Sequence, residues 1–402
     1  MDTDGRRGFL RDLDRPRSVW ANLTPNWFAA VMGTGIVAVA AASLPEHFPG
    51  MRSAATAVWA LAALLLLALL LLTALHWRDH RATARGHAND AVMGHFYGAP
   101  PMAMLTVGAG GLLLGRDWIG LRAAIDVDWV LWIAGTATGL ISAAAIPYLA
   151  FTRHRNTEQS AFGGWLMPVV PPMVSASTGA LLLPYVPPGQ TRLTLFVCCY
   201  AMFGISLLPS IVIITLIWNR LALHKIGPSR MVPTLWIVLG PLGQSTTAAN
   251  LLGGNAHLVM AKPYSTAFQA FGVVYGLPVL GFALLWAAIA TAVTVKAARE
   301  HLPFSLTWWS FTFPVGTVVT GTSGLALHTG SDAIRTAAAL FYAALVVAWF
   351  VVATRTARGA YRGRLFLPVQ PQAERISVIL PVPATSPVHG TEQTERVQLF
   401  VR

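Results

Sequence analysis

Apolar residues run along this chain in ten long stretches, separated by short polar segments. The stretches lie at approximately 25–44, 54–76, 92–114, 129–150, 165–184, 194–218, 231–252, 266–295, 304–328 and 332–354. Each is long enough to cross the roughly 30 Å hydrocarbon layer of a bilayer as a helix of about 20 residues. Their interiors contain no Lys, Arg, Asp or Glu, and only Asp332 and Arg335 lie in the first turn of a stretch, the last one. The pattern predicts an all-α integral membrane protein with ten transmembrane helices.

Basic residues are distributed unevenly between the segments that connect these stretches. Of the 28 Lys and Arg residues, 22 lie in the two ends of the chain and in alternate connecting segments, and 6 lie in the others. Lys and Arg close to membrane spans are retained on the cytoplasmic side, so this bias predicts that both termini are cytoplasmic. It also accounts for the formal net charge of +12 without a nucleic-acid partner.

The overall composition agrees with a membrane location. Hydrophobic residues make up 55% of the chain and charged residues 11%, which is about half the charged fraction of a soluble domain. Because the connecting segments are short, consecutive spans are expected to be antiparallel neighbours. We predict a cytoplasmic N-terminal tail at 1–24, a transmembrane domain at 25–355, and a flexible cytoplasmic tail at 356–402, with the plasma membrane as the location.

Helix-breaking residues are concentrated in the odd-numbered stretches, which contain 23 Pro and Gly residues against 9 in the even-numbered ones. Backbone groups freed by Pro are tolerated inside a membrane only where protein or a water-filled cavity satisfies them. Small residues also let helices approach closely. We therefore predict five helical hairpins around a central pore, with an inner ring of kinked odd helices and an outer ring of even helices.

Four segments carry a family resemblance. They are residues 26–35 in the first stretch, 165–172 (WLMPVVPP) in the fifth, 240–244 (GPLGQ) in the seventh and 308–314 (WWSFTFP) in the ninth. Together they resemble the tellurite-resistance/dicarboxylate transporter family, which includes slow-type anion channels, malate permeases and sulfite pumps. The resemblance implies a pore of five helical hairpins, assembly as a homotrimer and transport of small anions. It also implies that Phe313 occludes the pore as a gate.

Polar and small residues on the odd stretches form the candidate pore lining, because residues three or four apart share one face of a helix. The candidates are Phe28, Met32, Gly35, Pro101, Met104, Gly108, Pro172, Ser175, Thr178, Gln244, Thr247, Ser310, Thr317 and Thr320. Each has an alternative interpretation. The hydroxyls and the amide can join neighbouring helices, the glycines can allow close packing, and Phe313 can be an ordinary packed side chain. His95 and His328, near opposite ends of their spans, can tune conductance with pH or anchor the helix ends at the interface.

We compared three classes of function. The favoured one is an anion channel or uniporter for sulfite, a C4-dicarboxylate such as malate, chloride or nitrate. The alternative is a proton-coupled carrier that exports sulfite or organic acids. Proton coupling usually needs an ionisable relay inside the membrane, and the absence of carboxylates from the spans argues against it. An enzyme is disfavoured because no paired carboxylates, HExxH or CxxC motif is present, and we expect no metal and no cofactor.

Overall fold

The computed structural model describes residues 9–13 and 18–368. This part of the chain is helical and contains no strand. We label its ten main helices in chain order: α1 Phe28–Ser43, α2 Met51–Asp79, α3 Ala99–Gly110, α4 Leu121–Thr152, α5 Pro171–Leu182, α6 Gln190–His224, α7 Leu239–Asn255, α8 Tyr264–Arg299, α9 Phe313–Thr329 and α10 Asp332–Arg362.

Seven helical segments of the described chain are long and apolar enough to cross a membrane. They are Pro25–Ser43, Met51–Asp79, Met93–Ile119, Leu121–Thr152, Gln190–His224, Tyr264–Arg299 and Asp332–Arg362. The remaining three predicted spans correspond to α5, α7 and α9, whose α-helices are 12, 17 and 17 residues long.

Neighbouring odd-numbered helices contact one another in a closed circle. Helix α1 contacts α3, α3 contacts α5, α5 contacts α7, α7 contacts α9, and α9 returns to α1. Each of them also packs extensively against the even-numbered helix that follows it in the chain. The order of contacts is therefore an inner circle of five helices, each covered by its own successor.

The odd-numbered and even-numbered helices also differ in the share of their residues that is buried. The most apolar windows of the segments containing α1 and α3 are 83% and 89% buried, whereas those of the five even-numbered helices are 17% to 33% buried. Large exposed side chains such as Leu64, Ile141, Leu208 and Val347 lie on the even helices. Apolar surface of this extent is typical of contact with lipid.

Prolines decide where the inner α-helices begin. The first turns of α3, α5 and α9 contain Pro100, Pro171 and Pro314, respectively. Proline is suited to this position because the first backbone N–H groups of a helix have no partner within the helix. We expected kinks inside continuous spans. Instead, a 3-10 segment precedes each of these helices, and the regular α-helix starts at the proline or one residue before it.

Two glycines illustrate how closely the helices approach. A Cβ atom on Gly243 of α7 would collide with the backbone of Thr317 on α9. A Cβ atom on Gly115, in the turn after α3, would collide with the ring of Trp59 on α2, whose indole N–H donates to the carbonyl of Val107 over 2.9 Å. Small residues at these points permit the packing.

The two predicted tails contact each other at the end of α10. Helix α10 continues to Arg362, so the tail predicted to begin at 356 starts at least two turns later. Near the other end of the chain, the N–H groups of Leu10 and Asp12 donate to the carbonyls of Tyr361 and Arg362. The predicted flexibility of the C-terminal tail concerns mainly residues outside the described ranges.

Candidate functional site

A cavity of about 390 Å³ lies inside the circle of inner helices. All five contribute to its wall, with polar groups from Thr106, Ser177, Thr178, Gln244, Thr247, Asn250 and Thr320. It extends to the C-terminal ends of the helices, where Ser43, Leu113 and Leu327 line it. We call this the outer cavity, because the distribution of basic residues predicts that these helix ends face away from the cytoplasm.

A second, narrower cavity of about 20 Å³ lies toward the opposite ends of the inner helices. It is lined mainly by apolar side chains, including Met32, Phe96, Met102 and Met167. We call it the inner cavity. Its small volume leaves room for no more than about one water molecule.

Phe313 lines both cavities and lies between them. It is the first residue of α9 and is 3% exposed. The preceding 3-10 turn ends at Phe311, and Pro314 holds the start of the α-helix behind the ring. Among the described residues, Phe313 is the one that lines both the outer and the inner cavity.

The N-terminal ends of all five inner helices meet at the inner cavity. Its wall includes Ala29 of α1, Met102 of α3, Val170 immediately before α5, Gly240 of α7 and Phe313 of α9. Each helix N-terminus carries a partial positive charge of about half an elementary charge. Five such ends provide an electropositive environment without a cationic side chain.

The polar groups of the outer cavity are bonded to one another or to nearby carbonyls. The Thr247 and Thr320 hydroxyls lie 2.6 Å apart, and the Gln244 amide donates to the Ser177 hydroxyl. Asn250 donates to the Thr246 carbonyl over 2.9 Å. None of the residues lining either cavity in the described chain is Asp, Glu, Lys or Arg. An anion would therefore meet neutral dipoles, which bind weakly enough to permit release.

Six of the predicted pore residues, besides Phe313, line one of the cavities. Thr178, Gln244, Thr247 and Thr320 line the outer cavity, and Met32 and Ser310 line the inner one. The remaining predicted residues line neither: Phe28, Gly35, Pro101, Met104, Gly108, Pro172, Ser175 and Thr317.

Close packing explains the position of several of these remaining residues. On α3, the side that includes Pro101 and Gly108 packs against α4, while Thr106, Ala109 and Leu113 line the outer cavity. The Ser175 hydroxyl accepts from Thr136 of α4 over 3.0 Å. Small residues in these places allow contact between helices, which was the alternative interpretation of the pattern.

Other hydroxyls and glycines among these residues also join helices. The Thr317 hydroxyl donates to the Pro314 carbonyl over 2.7 Å and lies 3.3 Å from the carbonyl oxygens of Leu239 and Gly240 on α7. Gly35 lies against Thr106 and Ala62, where a Cβ atom would approach the Thr106 methyl to 2.9 Å. Phe28 and Met104 are buried within the apolar core.

Three of the polar residues named above in the outer cavity were not among the predicted ones: Thr106, Ser177 and Asn250. Thr106 lies two residues from both Met104 and Gly108, so it is on roughly the opposite side of α3 from the face that we chose, and Ser177 is adjacent to the predicted Thr178 on α5. Their polarity within otherwise apolar stretches was the available signal. On helices made of small residues, this signal was weaker than the Pro and Gly pattern that we followed.

The expectation that no carboxylate lies within a span is wrong. Helix α4 begins at Leu121, eight residues before the predicted boundary, and contains Asp128. Asp128 is 0% exposed, and neither carboxyl oxygen has a hydrogen-bond partner among the described residues. It lies against Gly108 of α3, where any Cβ atom would collide with Oδ1.

The two histidines singled out from the sequence occupy different environments. His95 is buried between Phe162 and Trp165, with ring centroids 5.7 and 6.1 Å away. His328 is half-buried, and its Nδ1 lies 3.0 Å from Oδ1 of Asn250, a residue of the outer cavity. His328 is therefore linked to the outer cavity, whereas His95 packs among aromatic rings at the other ends of the helices.

Comparison with known proteins identifies a matching family and several similar chains. Residues 22–357 match the family described as voltage-dependent anion channel (SLAC1). The sulfite efflux pump SSU1 of Trichophyton rubrum is 27% identical over 88% of this chain and 95% of its own length. An uncharacterized transporter of Methanocaldococcus jannaschii, MJ0762, is 26% identical over 86% of this chain and 97% of its own. The sulfite efflux pump SSU1 of Saccharomyces cerevisiae is 24% identical over 75% of this chain.

The family match extends from just before α1 into the last turns of α10, so it includes both cavities and Phe313. It confirms the resemblance seen in the four sequence segments and identifies a transport family rather than a family of enzymes. The chain belongs to the voltage-dependent anion channel (SLAC1) family of membrane proteins.

Proposed function

We propose that this protein moves small anions, with sulfite as the first candidate, along a path through the outer cavity, past Phe313 and through the inner cavity. The proposal includes ten membrane-spanning helices arranged as five hairpins around this path, with both termini in the cytoplasm. The circle of contacts between odd-numbered helices supports this arrangement. The plasma membrane location and the homotrimer remain predictions.

The observation that carries the proposal is the position of Phe313 between two cavities whose walls contain no Asp, Glu, Lys or Arg. A hydrophobic ring at a constriction excludes water and therefore blocks an ion without any opposing charge. Displacement of the ring would join the cavities. The N-terminal ends of the inner helices would then favour an anion over a cation at the narrow end.

Sulfite is the first candidate because several relatives are named sulfite efflux pumps. The size of the outer cavity does not discriminate between substrates. At 390 Å³ it holds the volume of roughly 13 water molecules, enough for sulfite, nitrate, chloride or malate with part of a hydration shell. A flux screen in liposomes with each of these anions decides between them.

The gate is tested with Phe313→Ala. Phe311→Ala is the matched control, because Phe311 is two residues away, packs against Trp236 and Trp308, and lines neither cavity. In proteoliposomes we expect Phe313→Ala to raise sulfite flux several-fold with little change in anion preference, and Phe311→Ala to leave it close to wild type. Wild-type flux in a folded Phe313→Ala protein would assign Phe313 to packing.

Asp128 favours a second candidate function, the proton-coupled carrier. A carboxyl group that is fully buried and has no partner among the described residues is costly to keep ionised. Ionisable groups in such positions within membrane proteins often take part in proton transfer. Asp128 lines neither cavity, so it would act through α3, against which it packs at Gly108.

Asp128→Asn separates the two functions, with Asp126→Asn as the control. Asp126 is on the same helix but is exposed and 4.0 Å from Arg122. A coupled carrier should show sulfite flux that responds to an imposed pH gradient, and only Asp128→Asn should abolish the response. If the wild-type protein transports sulfite equally with and without the gradient, the carrier is excluded and Asp128 has a structural role.

A further inference from the structure

Four arginines converge at the end of α10. Arg355, Arg358 and Arg362 follow one another at intervals of three and four residues, so they share a face of the helix. With Arg364 they line a cleft of about 700 Å³. Its other lining residues include Phe304 and Leu365, and none of the lining residues in the described part of the chain is Asp or Glu.

The backbone brings Arg364 to this face. Helix α10 ends at Gly363, whose φ of 84° lies in the left-handed region that glycine adopts without strain. The chain then turns back, and Leu365 packs against Gly359, where a Cβ atom would approach Leu365 Cγ to 2.8 Å. The cleft is therefore formed by the helix and the turn that follows it.

The guanidinium groups of these arginines have no ion pair within the described residues. The carboxylate of Asp12, whose backbone N–H bonds to the Arg362 carbonyl, lies 3.6 Å from Arg11 instead. Arg355 lies over the ring of Trp308, 4.7 Å from its centroid, and the Trp308 indole N–H donates to the Pro303 carbonyl over 3.0 Å. Arg355 is thus packed against an aromatic ring at the edge of the cleft.

The position of the cleft along α10 can be compared with the thickness of a membrane. Arg355 is 23 residues after Asp332, which places it roughly 35 Å along the helix at 1.5 Å per residue. This is slightly more than the roughly 30 Å hydrocarbon layer. A helix that begins at one surface of the layer at Asp332 therefore brings Arg355 to the opposite boundary, and Arg358 and Arg362 to the level of the lipid headgroups.

We propose that this cleft binds the phosphate of an anionic phospholipid headgroup. Planar guanidinium groups form paired hydrogen bonds with phosphate oxygens, and basic pockets at the cytoplasmic ends of membrane helices suit anionic headgroups. Retention of basic residues in the cytoplasm explains why arginines occur here, but it does not explain their convergence on one cleft. The apolar side chains of Phe304 and Leu365 would contact the glycerol and upper acyl region, which a free phosphate ion lacks.

The test uses the full-length protein in a zwitterionic detergent, with native mass spectrometry to measure binding of phosphatidylglycerol, phosphatidylcholine and inorganic phosphate. The variant is Arg358→Gln/Arg362→Gln. The control is Arg81→Gln/Arg85→Gln, which removes two exposed arginines from the helix Arg81–Asn89 on the same predicted side. Thermal unfolding without added lipid verifies that both variants are folded.

We expect the wild-type protein to prefer phosphatidylglycerol over phosphatidylcholine. Each arginine in contact with the bound anionic headgroup contributes roughly a fivefold gain in affinity, so the cleft variant should bind phosphatidylglycerol about thirtyfold more weakly. The control variant should bind it within about twofold of wild type. Equal weakening in both variants would overturn the proposal in favour of general surface charge. Displacement of the lipid by an equal concentration of inorganic phosphate would overturn it in favour of a soluble ligand.

Discussion

A single fixed negative charge in the outer cavity should stop anion transport. Thr320 is the best position for it, because the residue lines the outer cavity, is 7% exposed, and has a hydroxyl 2.6 Å from that of Thr247 on the neighbouring inner helix. Thr320→Asp introduces the charge, and Thr320→Asn introduces nearly the same shape without it. The difference between the two variants isolates the charge.

The size of the effect follows from the dimensions of the cavity. A sphere of 390 Å³ has a radius of roughly 4.5 Å, so a monovalent anion inside it lies about 5 Å from a carboxylate at position 320. At an effective dielectric constant of about 20, the repulsion is about 3 kcal/mol. Since about 1.4 kcal/mol corresponds to a factor of ten, the anion should enter the cavity at least a hundredfold less often.

The assay is sulfite flux into proteoliposomes at about pH 8, where an introduced carboxyl group is ionised in contact with water. Thr320→Asn should retain flux within a few-fold of wild type, and Thr320→Asp should fall to roughly 1% of the Asn variant. Equal flux in the two folded variants would show that anions do not pass Thr320. An equal loss in both would show that shape, and not charge, matters at this position.

Two further predictions concern packing and topology. Gly243→Ala places a methyl group against the Thr317 backbone at a cost of about 1–3 kcal/mol, so the purified protein should unfold at a lower temperature. Gly204→Ala, whose Cβ meets nothing within 4 Å, should unfold close to wild type, and equal values for both variants would contradict the close approach of α7 and α9. A reporter that works only in the cytoplasm should be active when fused after Arg402. Activity of a periplasmic or extracellular reporter at the same position would refute the predicted orientation.

The sequence alone was sufficient to distinguish the inner helices from the outer ones. A helix surrounded by protein needs small residues and tolerates proline, whereas an outer helix such as α2 is rich in Leu and Ala and contains neither Gly nor Pro. This difference is a property of each segment by itself, so composition reports it. The segments WLMPVVPP and WWSFTFP added the family, which the match over residues 22–357 confirmed.

The sequence was less informative about which side of each inner helix lines the cavities. Helix α5 has hydroxyl groups on several sides: Ser177 and Thr178 line the outer cavity, and Ser175 bonds to α4. Nothing local separates these positions, because a hydroxyl group serves equally well in a cavity wall and in a contact between helices. The rotation of each helix about its own axis decides between them, and that rotation is set by close contacts such as Gly243 against Thr317.

Asp128 is a charged residue whose buried environment could not be predicted from the sequence. In the sequence it immediately precedes the predicted fourth span, where a carboxylate would lie in water. In the structure the helix already starts at Leu121, and the glycine at position 108 leaves space for the carboxyl group between α3 and α4. Composition thus determined which environment each segment meets, because hydrophobicity is a sum over its own residues. Only the tertiary structure decided which side chains meet one another, because that depends on pairs of residues far apart in the chain.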